Sequence, residues 1–220
     1  MLQMQKTFLL FLLMSIVLSC RMGGDSPNSR FGSPDYSNIN KENKSRDAWQ
    51  KPGDVIALLG DLSDKAVADI GAGTGYFTFR LALNAEKVVA VEIDPNMIDL
   101  IDAFKINLPA DVHDKIETRL ATPKNANLKS NEVDVIVIIN TITYIEDKFM
   151  YIRDLYNVLP EGGKIMVVDY KQLTLPFNIE QGSHKIESNA LESLYKLVGL
   201  QDIVIDNSTL EYQFIAIGTK

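Results

Sequence analysis

The sequence predicts a doubly wound α/β sheet, and three observations support this prediction. Short apolar segments alternate with segments of helical periodicity from about residue 44 onward. The run 135–139 is continuously β-branched and apolar, which is typical of a parallel strand covered on both faces. A glycine-rich turn follows the first strand and leads directly into a helix. We therefore expect a mostly parallel seven-stranded sheet with an antiparallel last strand and with helices on both faces.

The predicted elements follow each other in a regular order. An amphipathic helix begins after the Pro-Gly-Asp sequence at 52–54, and the glycine turn opens a second helix at 76–83. Asp94 and Pro95 predict the cap and first residue of a third helix, whose inner face carries Met97, Ile98, Ile101 and Phe104. Later helices are predicted at 148–159 and 188–198. The predicted strands are 66–70, 87–92, 116–120, 135–139, 164–169, 202–206 and 212–218.

The last two strands are separated only by residues 207–210. A parallel pair would need a long crossover, whereas antiparallel strands can be joined by a short turn. We therefore expect these two strands to form a hairpin.

The composition limits the kinds of function that this chain can have. Hydrophobic residues make up 46% of the chain and charged residues 23%, as in ordinary globular proteins. The formal charge of −7 argues against a nucleic-acid partner, since phosphate contacts need clustered Lys and Arg. One cysteine and two histidines leave no metal site that the sequence could support by itself. We expect one domain with a short appendage, no metal, no nucleic-acid partner and a monomer.

The glycine-rich turn predicts a nucleotide-like ligand. Glycines allow the backbone to turn tightly and to approach a ligand closely. A dinucleotide site would carry a third glycine where Tyr76 stands, and Asp69 would repel a pyrophosphate but attract a cationic group. The second strand ends in Glu92, about twenty residues on, which suits ribose hydroxyls. A ligand with a ribose, no phosphate and a cationic amino-acid end is S-adenosylmethionine. The alternative is an ordinary turn with no ligand.

At these residues the chain resembles the class I S-adenosylmethionine-dependent methyltransferases, whose first motif is an acid two residues before G-x-G-x-G. The resemblance covers about residues 46–218. Segments 46–52 and 67–77 look most like small exported or membrane-associated methyltransferases, distantly similar to those of quinone biosynthesis. The resemblance implies a Rossmann-like fold and methyl transfer from S-adenosylmethionine, without a metal, to a small-molecule or lipid-like acceptor. A non-catalytic ligand-binding module tethered to a membrane is the alternative, and a dehydrogenase is disfavoured by Asp69 and Tyr76.

The resemblance also implies the roles of particular residues. Asp69 is expected near the amino group of the donor, Glu92 on the ribose hydroxyls and Ile93 beside the adenine. Asn140, at the end of a strand, is expected to face the methionine part, with loop capping as the alternative. The backbone around the donor is expected to come from Gly71, Ala72, Gly73 and Gly75.

Two departures from the family pattern concern the adenine and the acceptor. After the third strand, where the family often has an Asp for the adenine amino group, the chain offers only Thr122 or Asn125. Tyr144 stands where many relatives carry a His. No obligatory nucleophile is expected, because methyl transfer mainly requires donor and acceptor to be held in line. Acceptor-side candidates are Tyr144, Asp169, Tyr170 and His184, with residues 171–187 as a lid. Trp49 is expected as a core anchor or as a cover over the site.

The N-terminal residues predict export. An apolar run at 8–18 follows Lys6 and is shorter than a membrane span. It ends in Val-Leu-Ser-Cys, which looks like a bacterial lipobox with Cys20 as the lipidated residue; the alternative is a plain signal peptide. Residues 1–20 are thus expected as a lipoprotein signal peptide, 21–44 as a disordered tether and 45–220 as the methyltransferase domain. The expected location is a membrane outside the cytoplasm, or the cytoplasm if translation starts at Met22.

Overall fold

Residues 46–171 and 185–220 are described by a computed structural model of the chain. The predicted signal peptide with Cys20, the tether, Met22, His184 and most of the predicted lid lie outside these residues. Within the described ranges no helix combines the length and the apolar character needed to cross a membrane.

Seven strands form one mixed sheet in the order β3-β2-β1-β4-β5-β7-β6. The neighbouring strands from β3 to β5 pair in parallel. Strand β7 is antiparallel to both β5 and β6, so it lies inserted between them. The strands are β1 (Ala66–Ile70), β2 (Lys87–Glu92), β3 (Ile116–Leu120), β4 (Val135–Ile139), β5 (Lys164–Tyr170), β6 (Gln201–Asp206) and β7 (Gln213–Thr219). The predicted fold class is confirmed.

Helices cover both faces of the sheet. Residues 46–50 form helix α1. The other helices are α2 (Pro52–Ala57), α3 (Thr78–Ala82), α4 (Pro95–Lys105), α5 (Ala110–His113), α6 (Lys148–Val158) and α7 (Ser188–Val198), with a 3₁₀ turn at Ile142–Tyr144. Helices α2 to α5 pack one apolar core against one face of the sheet, and α6 and α7 pack a second core against the other. Every side chain of β4 is buried, as its β-branched run predicts.

The strand order reverses between β1 and β4. From this point β2 and β3 follow toward one edge of the sheet, and β5 lies toward the other. In open α/β sheets, ligands bind outside the carboxyl ends of the strands at such a switch point. Asp69 and Asn140 lie at the carboxyl ends of these two strands. The topology therefore directs attention to this edge.

The structure differs from the sequence prediction in five helices. Helix α2 begins at Pro52 rather than after residue 54, because proline fits the first position of a helix. Helix α3 begins at Thr78 rather than at residue 76, because Gly75 at φ +82° keeps the preceding residues in a turn. The helices α1 and α5 were not predicted, since each is too short to show a clear periodicity. In α4 the fully inward residues are Leu100 and Ile101, whereas Met97, Ile98 and Phe104 are half-buried.

Candidate functional site

The glycine turn between β1 and α3 has three glycines in left-handed conformations. Gly71, Gly73 and Gly75 have φ values of +73°, +56° and +82°. A Cβ on Gly71 would overlap the Thr141 side chain, and one on Gly75 would come within 2.6 Å of the Phe79 ring. Two of the glycines are thus required by packing within the protein.

Gly73 differs from its two neighbours in the turn. A Cβ added to Gly73 would meet no atom of the described residues within 4 Å. The glycine therefore leaves open space in front of the turn rather than allowing protein atoms to approach. A ligand that lies against the backbone would use that space.

Glu92, at the end of β2, organises the turn through backbone N–H groups. Its Oε2 accepts a hydrogen bond from Gly73 N at 2.8 Å, and its Oε1 accepts from Ile93 N at 2.7 Å. Asp94 N donates to the same Oε1 at 3.1 Å. The carboxylate thus lies beside Gly73, as its expected role toward a ribose requires.

Asp69, at the end of β1, is a buried acid below the same turn. Its side chain is 3% exposed, and its Oδ2 accepts a hydrogen bond from Thr78 Oγ1 at 2.7 Å. Burial raises the pKa of Asp69 to about 6, and the hydroxyl of Thr78 and the charge of Arg46 partly offset that rise. The carboxylate is therefore costly to ionise without a cationic neighbour.

Asn140 lies where β4 ends, in a left-handed conformation with φ +58°. Its Oδ1 accepts hydrogen bonds from Gln50 Nε2 at 3.2 Å and from Gln213 Nε2. Gln50 Nε2 also donates to Gln213 Oε1 at 2.7 Å, and both glutamines are fully buried. This amide cluster joins α1, β4 and β7. Asn140 thus connects α1 and β7 at the carboxyl end of β4, and its expected position beside the methionine part of the donor stays a prediction.

Helix α1 is held against the glycine turn from its other side. The hydroxyl of Tyr76 donates to Asp47 Oδ1 at 2.5 Å, and Arg80 Nη2 forms an ion pair with the same oxygen at 2.8 Å. The Trp49 ring lies 6.1 Å from the Tyr170 ring, which places Trp49 over the end of β5. Trp49 is half-buried there, and its two expected roles, as a core anchor or as a cover over the site, stay predictions.

The sequence analysis missed the contributions of Arg46, Gln50 and Gln213. Arg46 and Gln50 belong to segment 46–52, which was noticed only for its resemblance to family members. Gln213 begins the apolar run of β7 and is fully buried. A buried polar residue in an apolar strand was the signal that could have found it.

Ile93, Thr122 and Asn125 are the residues expected near the adenine. Ile93 is 53% exposed, directly after Glu92, and offers an apolar surface. Thr122 and Asn125 pair with each other in a β-bridge, in which Thr122 Oγ1 donates to Asn125 O at 3.5 Å. The Oδ1 of Asn125 also accepts a hydrogen bond from Asn127 N at 2.7 Å.

A cavity of about 960 Å³ opens beside the 3₁₀ turn and α6, and Pro123 and Lys124 from the loop after β3 also line it. Its lining includes Tyr144, which is 54% exposed, together with Lys148 and Tyr151. Thr141, which packs against Gly71, lies three residues before Tyr144. The cavity is thus linked through this short segment to the glycine turn.

Asp169 lies near this region, at the end of β5. It is 4% exposed, and its Oδ2 has no hydrogen-bond partner among residues 46–171 and 185–220. Burial raises its pKa to about 6, although the N–H groups of Tyr170 and Thr143 favour the charged form. Three of the four predicted acceptor-side residues, Tyr144, Asp169 and Tyr170, therefore share this edge. Across the described ranges, no three His, Cys, Asp or Glu side chains converge as metal ligands would.

Comparison with known proteins agrees with this geometry. Residues 68–167 match the methyltransferase domain family. A demethylmenaquinone methyltransferase of Lactococcus lactis is 24% identical over 188 residues, which cover 83% of this chain and 69% of that protein. Phosphoethanolamine N-methyltransferase 3 of Arabidopsis thaliana is 33% identical over 118 residues, or 53% of this chain. The chain spans only 23% of that plant protein's length.

Solved structures share the fold at low sequence identity. A SAM-dependent methyltransferase from Aquifex aeolicus has a TM-score of 0.71 at 18% identity, covering 84% of this chain and 98% of that one. Haemonchus contortus phosphoethanolamine N-methyltransferase 2, solved with S-adenosylmethionine, has a TM-score of 0.64 at 14% identity, covering 78% and 52%. Residues 68–167 thus carry a methyltransferase domain, and the described residues have the fold of solved S-adenosylmethionine-dependent methyltransferases.

Proposed function

We propose that the chain transfers the methyl group of S-adenosylmethionine to a small-molecule or lipid-like acceptor. The observation that carries the proposal is the open space at Gly73 beside the Glu92 carboxylate, in the turn that follows Asp69. At the other two glycines of the turn, Thr141 and Phe79 occupy the place of a Cβ, so Gly73 is the position in this turn where a ligand has room against the described residues.

The residues of the turn fit the parts of S-adenosylmethionine. Its sulfonium makes the methyl carbon electrophilic without help from a metal. Glu92 would hold the ribose hydroxyls, Ile93 would pack beside the adenine, and the backbone at Gly73 would lie against the ligand. Asp69 would balance the cationic amino-acid end. The chain's own task is then to orient the two reactants and to exclude water.

For the acceptor we propose the cavity lined by Tyr144, Lys148 and Tyr151. Its mixed aromatic and charged lining suits a molecule with an apolar body and a polar group. The relatives named above act on demethylmenaquinone and on phosphoethanolamine, two small molecules of different polarity.

For the full chain we propose attachment to a membrane outside the cytoplasm through lipidated Cys20. This proposal rests on the lipobox-like sequence before Cys20 and on the absence of other cysteines. The tether at 21–44 would then separate the domain from the lipid surface.

The function is tested in two steps on the purified chain. Calorimetric titration with S-adenosylhomocysteine measures donor-site binding, and transfer of a labelled methyl group to a panel of quinols, phospho-amines and amines measures turnover. Binding with transfer to at least one class supports the enzyme. Binding without transfer to any acceptor would favour the non-catalytic alternative, and the absence of binding would refute both.

A further inference from the structure

We propose that Arg46 binds the carboxylate of the donor's methionine end, opposite Asp69. This inference rests on the proposed function, because it assigns one more residue to the same ligand. It gives α1 a direct part in donor recognition, which neither the glycine turn nor Glu92 supplies.

Arg46 is placed on the glycine turn by two aromatic rings. Its guanidinium carbon lies 4.1 Å from the centre of the Tyr76 ring and 5.6 Å from that of the Phe77 ring. Tyr76 follows Gly75 directly, so the guanidinium group lies beside the turn that the ligand is proposed to occupy. Its Nε donates to Gln50 Oε1 within the same helix.

Within residues 46–171 and 185–220, Arg46 forms no ion pair with an Asp or Glu, and Nε is its one hydrogen-bonding atom. Burial lowers its pKa, while the neighbouring Tyr76, Tyr170 and Asp69 favour the charged form. A guanidinium group has five donors, so most of its hydrogen-bonding capacity remains for a ligand.

Arg46 and Asp69 carry opposite charges that attract each other beside the glycine turn; Asp69 is buried and Arg46 is half-buried. The amino-acid end of S-adenosylmethionine carries an ammonium and a carboxylate on the same carbon. Asp69 suits the ammonium group, and Arg46 suits the carboxylate, to which guanidinium groups can donate two parallel hydrogen bonds. One ligand end would therefore meet both charges.

The position of Arg46 is fixed from both ends of α1. Asp47 is tied to Tyr76 and Arg80, and Gln50 is tied to Asn140 and Gln213. A fixed cation loses little conformational entropy when it binds, which makes such a residue effective for recognition.

Two ligands separate this role from a purely structural one. S-adenosylhomocysteine carries the amino-acid end, whereas 5′-methylthioadenosine has the same nucleoside without it. Arg46→Met should lower the affinity for S-adenosylhomocysteine tenfold to a hundredfold, as the loss of a charge-assisted hydrogen bond predicts. Its affinity for 5′-methylthioadenosine should stay within about twofold of the wild-type value. Calorimetry measures both affinities, and thermal unfolding reports the stability of each variant.

Arg153→Met is the matched control. Arg153 also lies over an aromatic ring, with its guanidinium carbon 5.8 Å from the centre of the Phe149 ring, and its Nη2 lies 3.7 Å from Asp154 Oδ1 on α6. This variant should leave the ratio of the two affinities unchanged. If Arg46→Met lowers the affinity for both ligands equally, or changes neither affinity, Arg46 is a structural residue and the inference fails. The proposed donor site would not be affected by that result. If the wild-type chain binds neither ligand, the proposed function fails as well.

Discussion

The carboxylate of Glu92 accepts a hydrogen bond from the backbone N–H of Gly73 at 2.8 Å. The two residues lie 19 positions apart, at the ends of adjacent parallel strands and their loops. The same carboxylate that is proposed to hold the ribose therefore also fixes the turn against which the donor lies. Binding and the shape of the site are coupled through this one side chain.

Gly73→Ala should abolish binding of S-adenosylhomocysteine, because the added methyl group occupies the space in front of the turn. The left-handed φ of +56° should also cost about 1 kcal/mol of unfolding free energy. Gly60→Ala is the matched control, since Gly60 has φ +85° and likewise no neighbour within 4 Å. Urea unfolding and calorimetry are measured on the same samples. Equal stability losses with unchanged binding in both variants would show that the turn holds no ligand.

Glu92→Gln should lower the affinity for S-adenosylhomocysteine and for 5′-methylthioadenosine by the same factor, because both ligands carry the ribose. Loss of a charge-assisted hydrogen bond predicts a tenfold to hundredfold effect on each dissociation constant. Glu132→Gln is the control, since this carboxylate lies in an ion pair with Arg119 at 2.6 Å instead. Calorimetric affinities of the Glu92 variant equal to those of wild type would remove the ribose assignment.

The stability of the protein should depend on pH through Asp169. Burial raises its pKa from the ordinary 3.8 to about 6, so the folded state holds a proton that the unfolded chain has released. Its contribution to stability is therefore largest below pH 4 and is lost as the pH rises through 6. Between pH 4 and pH 7, Asp169→Asn should gain on the order of 2–3 kcal/mol relative to wild type.

Urea unfolding at several pH values measures this gain. Asp99→Asn, which removes one exposed carboxyl group from α4, controls for the change in net charge. If the Asp169 variant and wild type have parallel stability curves over this pH range, burial does not set the titration of Asp169.

Cys20→Ser should release the full chain from the membrane fraction or leave its precursor uncleaved. The thiol of Cys20 is the proposed point of lipid attachment, and serine cannot form the thioether. Cell fractionation with mass spectrometry of the native N-terminus decides the matter. An unmodified Met1 in the soluble fraction would contradict the lipoprotein proposal.

The sequence by itself determined the elements of the fold. Apolar runs such as 135–139 can only be buried, and their length and β-branching select strands over helices. The seven predicted strands agree with the observed ones to within a residue at either end, and α7 agrees at both bounds. The glycine turn and the two acids at the ends of β1 and β2 could also be predicted from the sequence, because backbone conformation and position at a strand end are local properties.

Only the tertiary structure decided how distant residues complete the site. Gln50 and Gln213 are 163 positions apart, and they meet because β7 enters the sheet between β5 and β6 and α1 packs over its start. The requirement for glycine at position 71 comes from Thr141, and the exposure of Gly73 comes from the lack of any such neighbour. These relationships depend on strand order and packing across the sheet, and no local pattern in the sequence encodes them.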